Sequence, residues 1–307
     1  MVIIKPNIEL SVVILTYNEE KQITKCIESA KNLAKDIFLI DSFSNDNTIK
    51  LAEESGAKVF QHKWENNHAM QFNWGLDNLP IKTEWVLRLD ADEYLLPELT
   101  TEIKEKLSKL EKEVTGIILK RRVYFMNRWI KHGGYYPTYL LRLWRYGSGK
   151  YEERWMDEHV KLEEGRTVTF ENDFVDDNVN NLTWWTNKHN NYATREAIDL
   201  LNIKYKFSTS VGIGANLTED QDKRKRWLKE KLYTRIPLFV RPFFYFIYRY
   251  VFKFGFLDGK PGLIWHFLQG FWYRFLVDAK VFDIERRAKK ENRTIAEIIK
   301  TNYDINV

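Results

Sequence analysis

Residues 85–95 read Trp-Val-Leu-Arg-Leu-Asp-Ala-Asp-Glu-Tyr-Leu, an apolar run that leads into two aspartates, Asp90 and Asp92. Such a run is typical of a buried strand, and carboxylates are costly to place at its end unless a cation lies beside them. A divalent metal on a diphosphate would fit, because hard oxygen ligands suit Mg²⁺ or Mn²⁺. The stretch alone does not decide the matter, since an Asp-x-Asp pair at a strand end also serves as a helix cap or turn.

The residues upstream of this stretch alternate between predicted strands and helices. The pattern predicts strands at 9–16, 36–41, 58–61 and 84–90, and helices at about 21–34, 49–55 and 68–79. This alternation is typical of parallel βαβ units, in which ligands bind beyond the carboxyl ends of the strands. One crevice is therefore expected to collect the polar residues at these ends, which are Thr16, Tyr17, Asp41, Asp90 and Asp92.

Four motifs in this region carry a family resemblance. They are Val-Val-Ile-Leu-Thr-Tyr-Asn-Glu-Glu at 12–20, Ile-Asp-Ser-Phe-Ser-Asn-Asp-Asn-Thr at 40–48, Gln-Phe-Asn-Trp-Gly-Leu at 71–76 and Leu-Asp-Ala-Asp-Glu at 89–93. In order and spacing they resemble the family 2 glycosyltransferases with the GT-A fold. Further segments at 124–128, 133–137, 141–145 and 157–159 are similar to a bacterial branch that includes the β-1,4-glucosyltransferases of the lipopolysaccharide inner core.

The resemblance implies an α/β fold of the GT-A, Rossmann-like type, with a mixed sheet flanked by helices and a nucleotide-sugar site at the strand ends. The residues expected at that site are Thr16, Tyr17, Asn18, Glu19, Asp41, Ser44, Gln71, Asn73, Asp90 and Ala91. The ring of Tyr17 would stack on the nucleobase, and Asp41 would accept a hydrogen bond from the uracil N–H. Asp90 would contact ribose or sugar hydroxyls, while Asp92 would bind Mg²⁺ or Mn²⁺.

The chain departs from the family pattern in the helix before the metal strand. Ala-Arg-Asn is common there, whereas this chain has Gln71, Phe72 and Asn73. A positive contact to the phosphate is therefore missing, and neutralisation must come from the metal or from another basic residue. A packing role stays open for Tyr17, as a core aromatic, and for Asn73, as the partner of a helix–strand turn.

Inverting transfer also needs a base, because the acceptor hydroxyl must lose its proton as it attacks the anomeric carbon. The leaving diphosphate gathers negative charge that a metal stabilises. The resemblance places a Glu at the position of Glu158, which makes it the expected catalytic base. Asp157 is the rival, since similar sequences carry His there, and adjacent residues on a strand face opposite sides.

A polar, aromatic region separates the Asp pair from this base. Aromatic faces suit the C–H surfaces of sugars, and arginines suit phosphate or carboxylate groups. The candidate contacts to an anionic glycan acceptor are Tyr135, Tyr136, Arg142 and Trp144. An edge of a mixed sheet with exposed charges would account for the same residues.

Charge and aromatic residues are unevenly distributed along the chain. Residues 1–220 carry 29 Lys+Arg and 34 Asp+Glu, whereas residues 221–307 carry 19 and 9. The basic part contains aromatic runs at 239–256 and 262–277, interrupted by Arg241, Arg249 and Lys253. Those charges argue against a membrane span and favour helices that lie in the interface of an anionic membrane. A buried helical cap, a dimer surface and a re-entrant hairpin turning at 259–262 are the alternatives.

The predicted organisation is a catalytic domain at 1–182, with a donor part at about 1–95 and an acceptor part at 96–182. A helical C-terminal region follows at 183–307, with interfacial segments at about 236–277. The single Cys26 excludes an internal disulfide and a Cys-based zinc site. No signal peptide is predicted, since the first residues lack a charged region before a long apolar core. We therefore expect a cytoplasmic protein, peripheral on the inner face of the cytoplasmic membrane, and leave the oligomeric state open.

These features predict a metal-dependent transferase that moves a hexose from a UDP-sugar, with UDP-glucose as the candidate, onto lipopolysaccharide core or a lipid-linked saccharide. A sugar-phosphate nucleotidyltransferase is one alternative, but it would need a Gly-rich basic loop after the first strand, where residues 16–20 are acidic and lack glycine. A non-catalytic scaffold that binds membrane or nucleic acid is the other. The aromatic runs are too dense for an exposed nucleic-acid groove, so no nucleic-acid partner is expected.

Overall fold

The structure is a computed structural model that describes residues 8–65, 67–152, 159–207 and 236–305. The chain separates into two compact units. The described part of the first unit comprises residues 8–65, 67–131, 135–152 and 159–179, and the second comprises His132–Gly134 with the described residues from Asn180 onward.

The first unit is built on a large mixed sheet. Its strands are β1 Leu10–Thr16, β2 Asp36–Asp41, β3 Lys58–Gln61, β4 Trp85–Asp90, β5 Glu93–Leu95, β6 Val114–Phe125, β7 Arg128–Trp129, β8 Thr138–Arg145 and β11 Arg166–Asp177. They lie in the order β3-β2-β1-β4-β8-β6-β11-β5, with β7 paired to β6. The first four are parallel, β8 is antiparallel to both neighbours, and β11 runs parallel to β6. A separate antiparallel pair joins β9 Gly149–Tyr151 and β10 Val160–Leu162.

Helices cover both faces of this sheet. They are α1 Ile23–Ala30, α2 Thr48–Glu54, α3 His68–Asn78 and α4 Pro97–Lys106. Successive strand residues face opposite sides, so Val12 lies in a hydrophobic cluster with Ile27 of α1, and Val13 lies in another with Phe72 of α3. This burial on both faces explains why β1 reads as a continuous apolar run. The structure thus confirms the predicted α/β fold with a mixed sheet flanked by helices.

The described part of the second unit is helical. Its helices are α5 Leu182–Tyr205, α6 Val240–Ile247, α7 Gly259–Trp265, α8 Tyr273–Glu291 and α9 Ile295–Tyr303. Wider π-helical turns continue α6 over Tyr248–Phe252 and join α7 to α8 over His266–Trp272. Residues of α5, α8 and α9 share a hydrophobic core that includes Leu201, Ile284 and Ile298. Within the described ranges, we find no helix whose length and apolar character would let it cross a membrane.

Candidate functional site

Strand register aligns the polar residues that the sequence places at strand ends. Thr16 on β1 pairs with Asp41 on β2, and Leu15 pairs with Asp90 on β4. The three strands are parallel and adjacent, so their carboxyl ends share one edge of the sheet. Asp92 follows directly, between β4 and β5. This edge is where open α/β sheets bind ligands.

A buried carboxylate organises the loops after β1 and β2. Asp41 is fully buried and accepts hydrogen bonds from the backbone N–H of Ser44 at 2.8 Å and from its hydroxyl. The Ser44 hydroxyl in turn accepts from the backbone N–H of Asn18 at 2.8 Å, and the Asn18 side chain accepts from the N–H of Asn45 at 2.9 Å. These bonds tie the two loops together. Thr16 lies beside them with a buried hydroxyl that has no hydrogen-bond partner among the described residues.

Two aromatic side chains project from these loops into solvent. Tyr17 is 56% exposed and Phe43 is 55% exposed, and Phe43 holds a left-handed backbone with φ 62°. Large exposed aromatics on loops fixed by hydrogen bonds suit the stacking of a flat ring. Sequence reasoning identified Tyr17 but missed Phe43. The available signal was an aromatic residue inside an otherwise polar turn, Ser42-Phe43-Ser44.

The two amide side chains expected to approach the donor have partners within the protein. Gln71 is buried, and its amide group bonds to the His62 carbonyl at 3.0 Å, the Ser42 hydroxyl at 3.2 Å and the His62 ring at 2.7 Å. Asn73 bonds to both the N–H and the carbonyl of Tyr151 at 2.9 Å. These bonds argue against direct donor contact by either side chain, and those of Asn73 link α3 to the strand β9 rather than to the turn that follows the helix.

Two guanidinium groups surround the first aspartate of the pair. Arg88 donates to Oδ1 of Asp90 from Nε at 3.1 Å and from Nη2 at 3.0 Å, and Arg142 donates to Oδ2 at 3.3 Å. Arg142 also donates to Glu93 at 2.6 Å, and Glu93 accepts from the backbone N–H of Asp90 at 2.9 Å. Burial would raise the pKa of Asp90, but Arg88 and Arg142 hold it well below its usual range. Burial raises the pKa of Glu93 above its usual range, although Arg142 donates to it.

The second aspartate has a neutral side-chain partner. Asp92 accepts a hydrogen bond from the side chain of Asn178 at 3.0 Å, and its carbonyl accepts from the N–H of Asp177 at 2.9 Å. No group of three or more His, Cys, Asp or Glu side chains in the described ranges is placed to hold a metal. One carboxylate still fits Mg²⁺, which commonly uses one or two carboxylates together with substrate phosphates and water.

The remaining donor residues contribute through the backbone or through capping. Ala91 is buried between the two aspartates and can offer only backbone groups. Glu19 donates its N–H to the Thr48 hydroxyl at 2.8 Å, and its carboxylate accepts from the side chain of Gln22. Both contacts fix the start of the helices that follow β1 and β2.

The predicted acceptor residues divide into two kinds. Tyr136 donates its hydroxyl to Asp173 at 3.0 Å, and both it and Tyr135 are half-buried. Arg142 is buried in the contacts to Asp90 and Glu93, and Trp144 is fully buried in the cluster around Phe72. Such burial argues against direct acceptor contact by Arg142 and Trp144. The expected bases, Glu158 and Asp157, lie outside the described residues, so their roles stay predictions.

The second unit carries a set of exposed aromatic side chains. This exposed aromatic set consists of Phe243, Phe244, Tyr248, Phe252, Phe254, Phe256, Phe267 and Phe275. Phe252 is 68% exposed, the largest value in the set. Residues 236–277 combine five Lys and Arg with one acidic residue, Asp258. Exposed apolar rings grouped in one segment make it a candidate interaction surface.

Buried Asp258 fixes residues 132–134, here called the bracket, against the turn after α6. Asp258 accepts from the His132 N–H at 2.9 Å and lies 2.6 Å from its Nδ1. Gly133 donates to the Lys253 carbonyl at 2.8 Å and accepts from Arg249 at 2.6 Å. These bonds fix the shape of the turn that bears Phe252 and Phe254.

Comparison with known proteins identifies the family. The model of glycosyl transferase family 2 matches residues 11–178, which is more than half of the chain. The chain therefore belongs to glycosyl transferase family 2, as the resemblance of its motifs predicted. The match covers the strands and loops that build the site described above.

Individual relatives match shorter parts. An uncharacterized glycosyltransferase of Rickettsia bellii is 36% identical over 96 residues, which is 31% of this chain and 32% of that protein. The first relatives are thus matched over only about a third of their length. The lipopolysaccharide core biosynthesis glycosyltransferase LpsC of Rhizobium meliloti is 31% identical over 156 residues, covering 48% of this chain and 54% of LpsC. Among solved structures, TarS 1–349 of S. aureus aligns over 92% of both chains with 13% identity and a TM-score of 0.42.

Proposed function

We propose that this protein is an inverting glycosyltransferase that moves a hexose from a UDP-sugar, with UDP-glucose as the candidate, to a membrane-linked glycan. The observation that carries the proposal is the shared strand edge, where β2 ends in buried Asp41, β4 ends in Asp90 with Asp92 directly after it, and the loops after β1 and β2 carry the exposed rings of Tyr17 and Phe43. Membership of family 2 supports the reaction class.

The donor half of the reaction follows from these residues. Tyr17 offers a stacking face to the base, and the acceptor-only carboxylate of Asp41 suits the N–H of uracil. Asp90 would accept from hydroxyls of the ribose or sugar. Asp92 would hold Mg²⁺ or Mn²⁺, which when bound would offset the charge that develops on the leaving diphosphate.

The acceptor half needs a base outside the described residues. The acceptor oxygen forms a bond to the anomeric carbon as the bond from that carbon to the diphosphate oxygen breaks. The electron pair of the broken bond leaves with the diphosphate. We assign the acceptor proton to the carboxylate of Glu158, with Asp157 as the rival. The likeness to LpsC favours lipopolysaccharide core, or a similar lipid-linked saccharide, as the acceptor. Tyr135 and Tyr136 remain the proposed sugar contacts.

We also propose that the protein is cytoplasmic and lies on the inner face of the cytoplasmic membrane. The exposed aromatic set, together with exposed Lys253 and Lys260 in the same segment, supports this location, whereas Arg241 and Arg274 are paired with Asp278 and Glu196. Phe side chains on the apolar face of an interfacial helix are buried at the boundary of headgroups and acyl chains, and Lys and Arg are attracted to anionic lipid. A membrane-bound acceptor would then be presented to an enzyme at the same surface.

Calorimetric titration with UDP tests the donor site. We expect the wild type to bind UDP in the presence of Mn²⁺ and Asp92→Asn to lose the metal-dependent part of the affinity. Glu158→Gln is the matched control, which should bind UDP like the wild type but release no UDP from UDP-glucose in the presence of acceptor. Absence of UDP binding by the wild type, with or without Mn²⁺, would reject the UDP-sugar proposal. Retained turnover by Glu158→Gln would move the role of base to Asp157.

A further inference from the structure

Arg88 on β4 is fixed by contacts with two aromatic rings and a carboxylate. Arg88 lies two residues before Asp90 on β4, and its side chain is more than nine-tenths buried. Its guanidinium carbon lies 4.5 Å from the ring centre of Tyr151 and 5.3 Å from that of Phe72. Two nitrogens of the same group contact one oxygen of Asp90. Contacts of this kind fix both the position and the plane of the guanidinium.

Phe72 in α3, which replaces the arginine common in the family, leaves room for the guanidinium of Arg88. Phe72 stands where the family pattern commonly has arginine, and its ring offers an apolar face to Arg88. An arginine at position 72 would instead bring a third positive charge close to Arg88 and Arg142, which is unfavourable in a buried site. The positive charge missing from the helix is therefore present on the neighbouring strand, in contact with the first aspartate.

The two aspartates differ in their chemical environment, because arginines contact Asp90 and a neutral amide contacts Asp92. Both oxygens of Asp90 face guanidinium groups, since Arg142 contacts the oxygen that Arg88 leaves. Two adjacent positive charges make Asp90 a poor ligand for a further cation. Each carboxylate oxygen retains capacity to accept from a neutral hydroxyl. The side chain of Asp92 bonds instead to the neutral amide of Asn178.

We propose that Arg88 is a positioning residue that reserves Asp90 for hydroxyl groups of the donor and thereby leaves Asp92 as the carboxylate for the metal. The proposal rests on the function proposed above, since it names what separates the roles of the two aspartates. The family resemblance implies the two roles, whereas the contacts of Arg88 supply a physical cause for them, since Asp90 and Asp92 are the same residue type with one residue between them.

Titration with Mn²⁺ alone, without nucleotide, provides a readout that loss of folding cannot imitate. In Arg88→Met the carboxylate of Asp90 becomes available to a cation, so we expect affinity for Mn²⁺ to rise by about tenfold. The same variant should bind UDP about tenfold more weakly at saturating Mn²⁺, because Asp90 is no longer oriented toward donor hydroxyls. Arg88→Lys retains the charge but not the fork, and should keep wild-type Mn²⁺ affinity with intermediate UDP affinity.

Arg145 offers a matched control on the next strand. Its guanidinium packs 4.5 Å from the ring centre of Trp85 and donates to the Val114 carbonyl at 2.9 Å, at the opposite end of the β4–β8 pair. Arg145→Met should lower the unfolding temperature without changing affinity for Mn²⁺ or UDP. Unchanged or weaker Mn²⁺ binding by folded Arg88→Met would overturn the proposal.

Aspartate variants keep the test decisive if Arg88→Met does not fold. We expect Asp90→Asn to retain wild-type affinity for Mn²⁺ alone and to weaken UDP binding, whereas Asp92→Asn should lose affinity for Mn²⁺. Equal loss of Mn²⁺ affinity in both variants would make Asp90 a metal ligand and overturn the inference while leaving the UDP-sugar function intact. Failure of the wild type to bind UDP would instead reject the proposed function itself.

Discussion

At the scale of single residues, some side chains of the candidate site can be predicted from the sequence and others cannot. The positions of Asp41, Asp90 and Asp92 at strand ends could be predicted, because a carboxylate directly after an apolar strand is a local pattern. Phe43 was missed although a local signal, an aromatic residue in a polar turn, was present. Arg88 could not be found from a local pattern, since its significance comes from partners far along the chain. Arg88 is defined by Phe72 and Tyr151, which lie on α3 and β9.

Distant partners also determine where four of the expected contact residues lie. Gln71 and Asn73 lie in the helix that carries the family motif, yet their amide groups bond to His62 and Tyr151. Arg142 and Trp144 belong to an aromatic, basic stretch, yet β8 lies between β4 and β6 and buries both side chains. Composition indicates what a side chain can contact, whereas strand order determines what it does contact.

Phe43 provides a test of base stacking at the residue scale. We expect Phe43→Asn to weaken UDP binding by about fivefold to tenfold, in line with about 1 kcal/mol for one aromatic–base contact. Asparagine is chosen because it tolerates the left-handed backbone found there. Phe254→Asn is the matched control, with φ 59° and 58% exposure in the second unit. Equal UDP affinity of the wild type and Phe43→Asn would remove Phe43 from the base site.

At the scale of elements, the parallel strands were the easiest to predict. The predicted strands 36–41 and 58–61 have the observed bounds of β2 and β3. The first helix was predicted to reach residue 34 but ends at Ala30, because residues 31–33 form a turn in which Leu33 still packs into the core. The wide helical turns around α7 were missed, since they leave no distinct period in a sequence dominated by aromatic residues.

At the scale of elements, the close packing of Gly133 in the bracket against the His266 ring can be tested by replacing glycines. A Cβ at Gly133 would lie 1.9 Å from the His266 ring, and one at Gly255 would lie 2.5 Å from it. Gly133 also has φ 71°, whereas Gly147 has φ 88° with open space around it. We expect Gly147→Ala to cost about 1 kcal/mol for backbone strain alone and Gly255→Ala about 1–3 kcal/mol for the clash. Gly133→Ala should cost roughly the sum, which denaturant unfolding would measure.

The three glycine variants separate backbone strain from steric conflict. If Gly133→Ala were no worse than Gly147→Ala, the ring of His266 would have room to move and the bracket would be loose. If Gly255→Ala were neutral, the clash would be relieved by a shift of the turn. Either result would contradict a tightly packed His266 between two glycines.

At the scale of the whole molecule, the sequence indicated the opposite charges of its two parts. The net charge of residues 1–220 is −5, from 29 Lys+Arg and 34 Asp+Glu, and that of residues 221–307 is +10, from 19 and 9. This asymmetry predicts an orientation in which the basic part meets an anionic surface and the acidic part does not. The assignment of residues 132–134 to the second unit could not be foreseen, because no local signal marks it.

Vesicle flotation tests the membrane proposal. We expect binding to vesicles that contain anionic lipid, with weaker binding at high salt because screening reduces the attraction of Lys and Arg. The double variant Phe252→Ser with Phe254→Asn should lose most of the binding, since it removes apolar area that would enter the headgroup region. Phe43→Asn is the reciprocal control and should float like the wild type. Flotation that is the same for the double variant and the wild type would reject insertion by this turn.

The bracket has a consequence for how such a protein can be divided. Residues 132–134 belong to the second unit, although Lys131 and Tyr135 on either side belong to the first. A C-terminal fragment beginning at Asn180 would lack His132, the partner of the buried carboxylate of Asp258. The helical unit is therefore incomplete when it is separated from the rest of the chain at Asn180. Recombination or gene splitting at the apparent boundary would separate it from residues 132–134, which favours inheritance of the two units together.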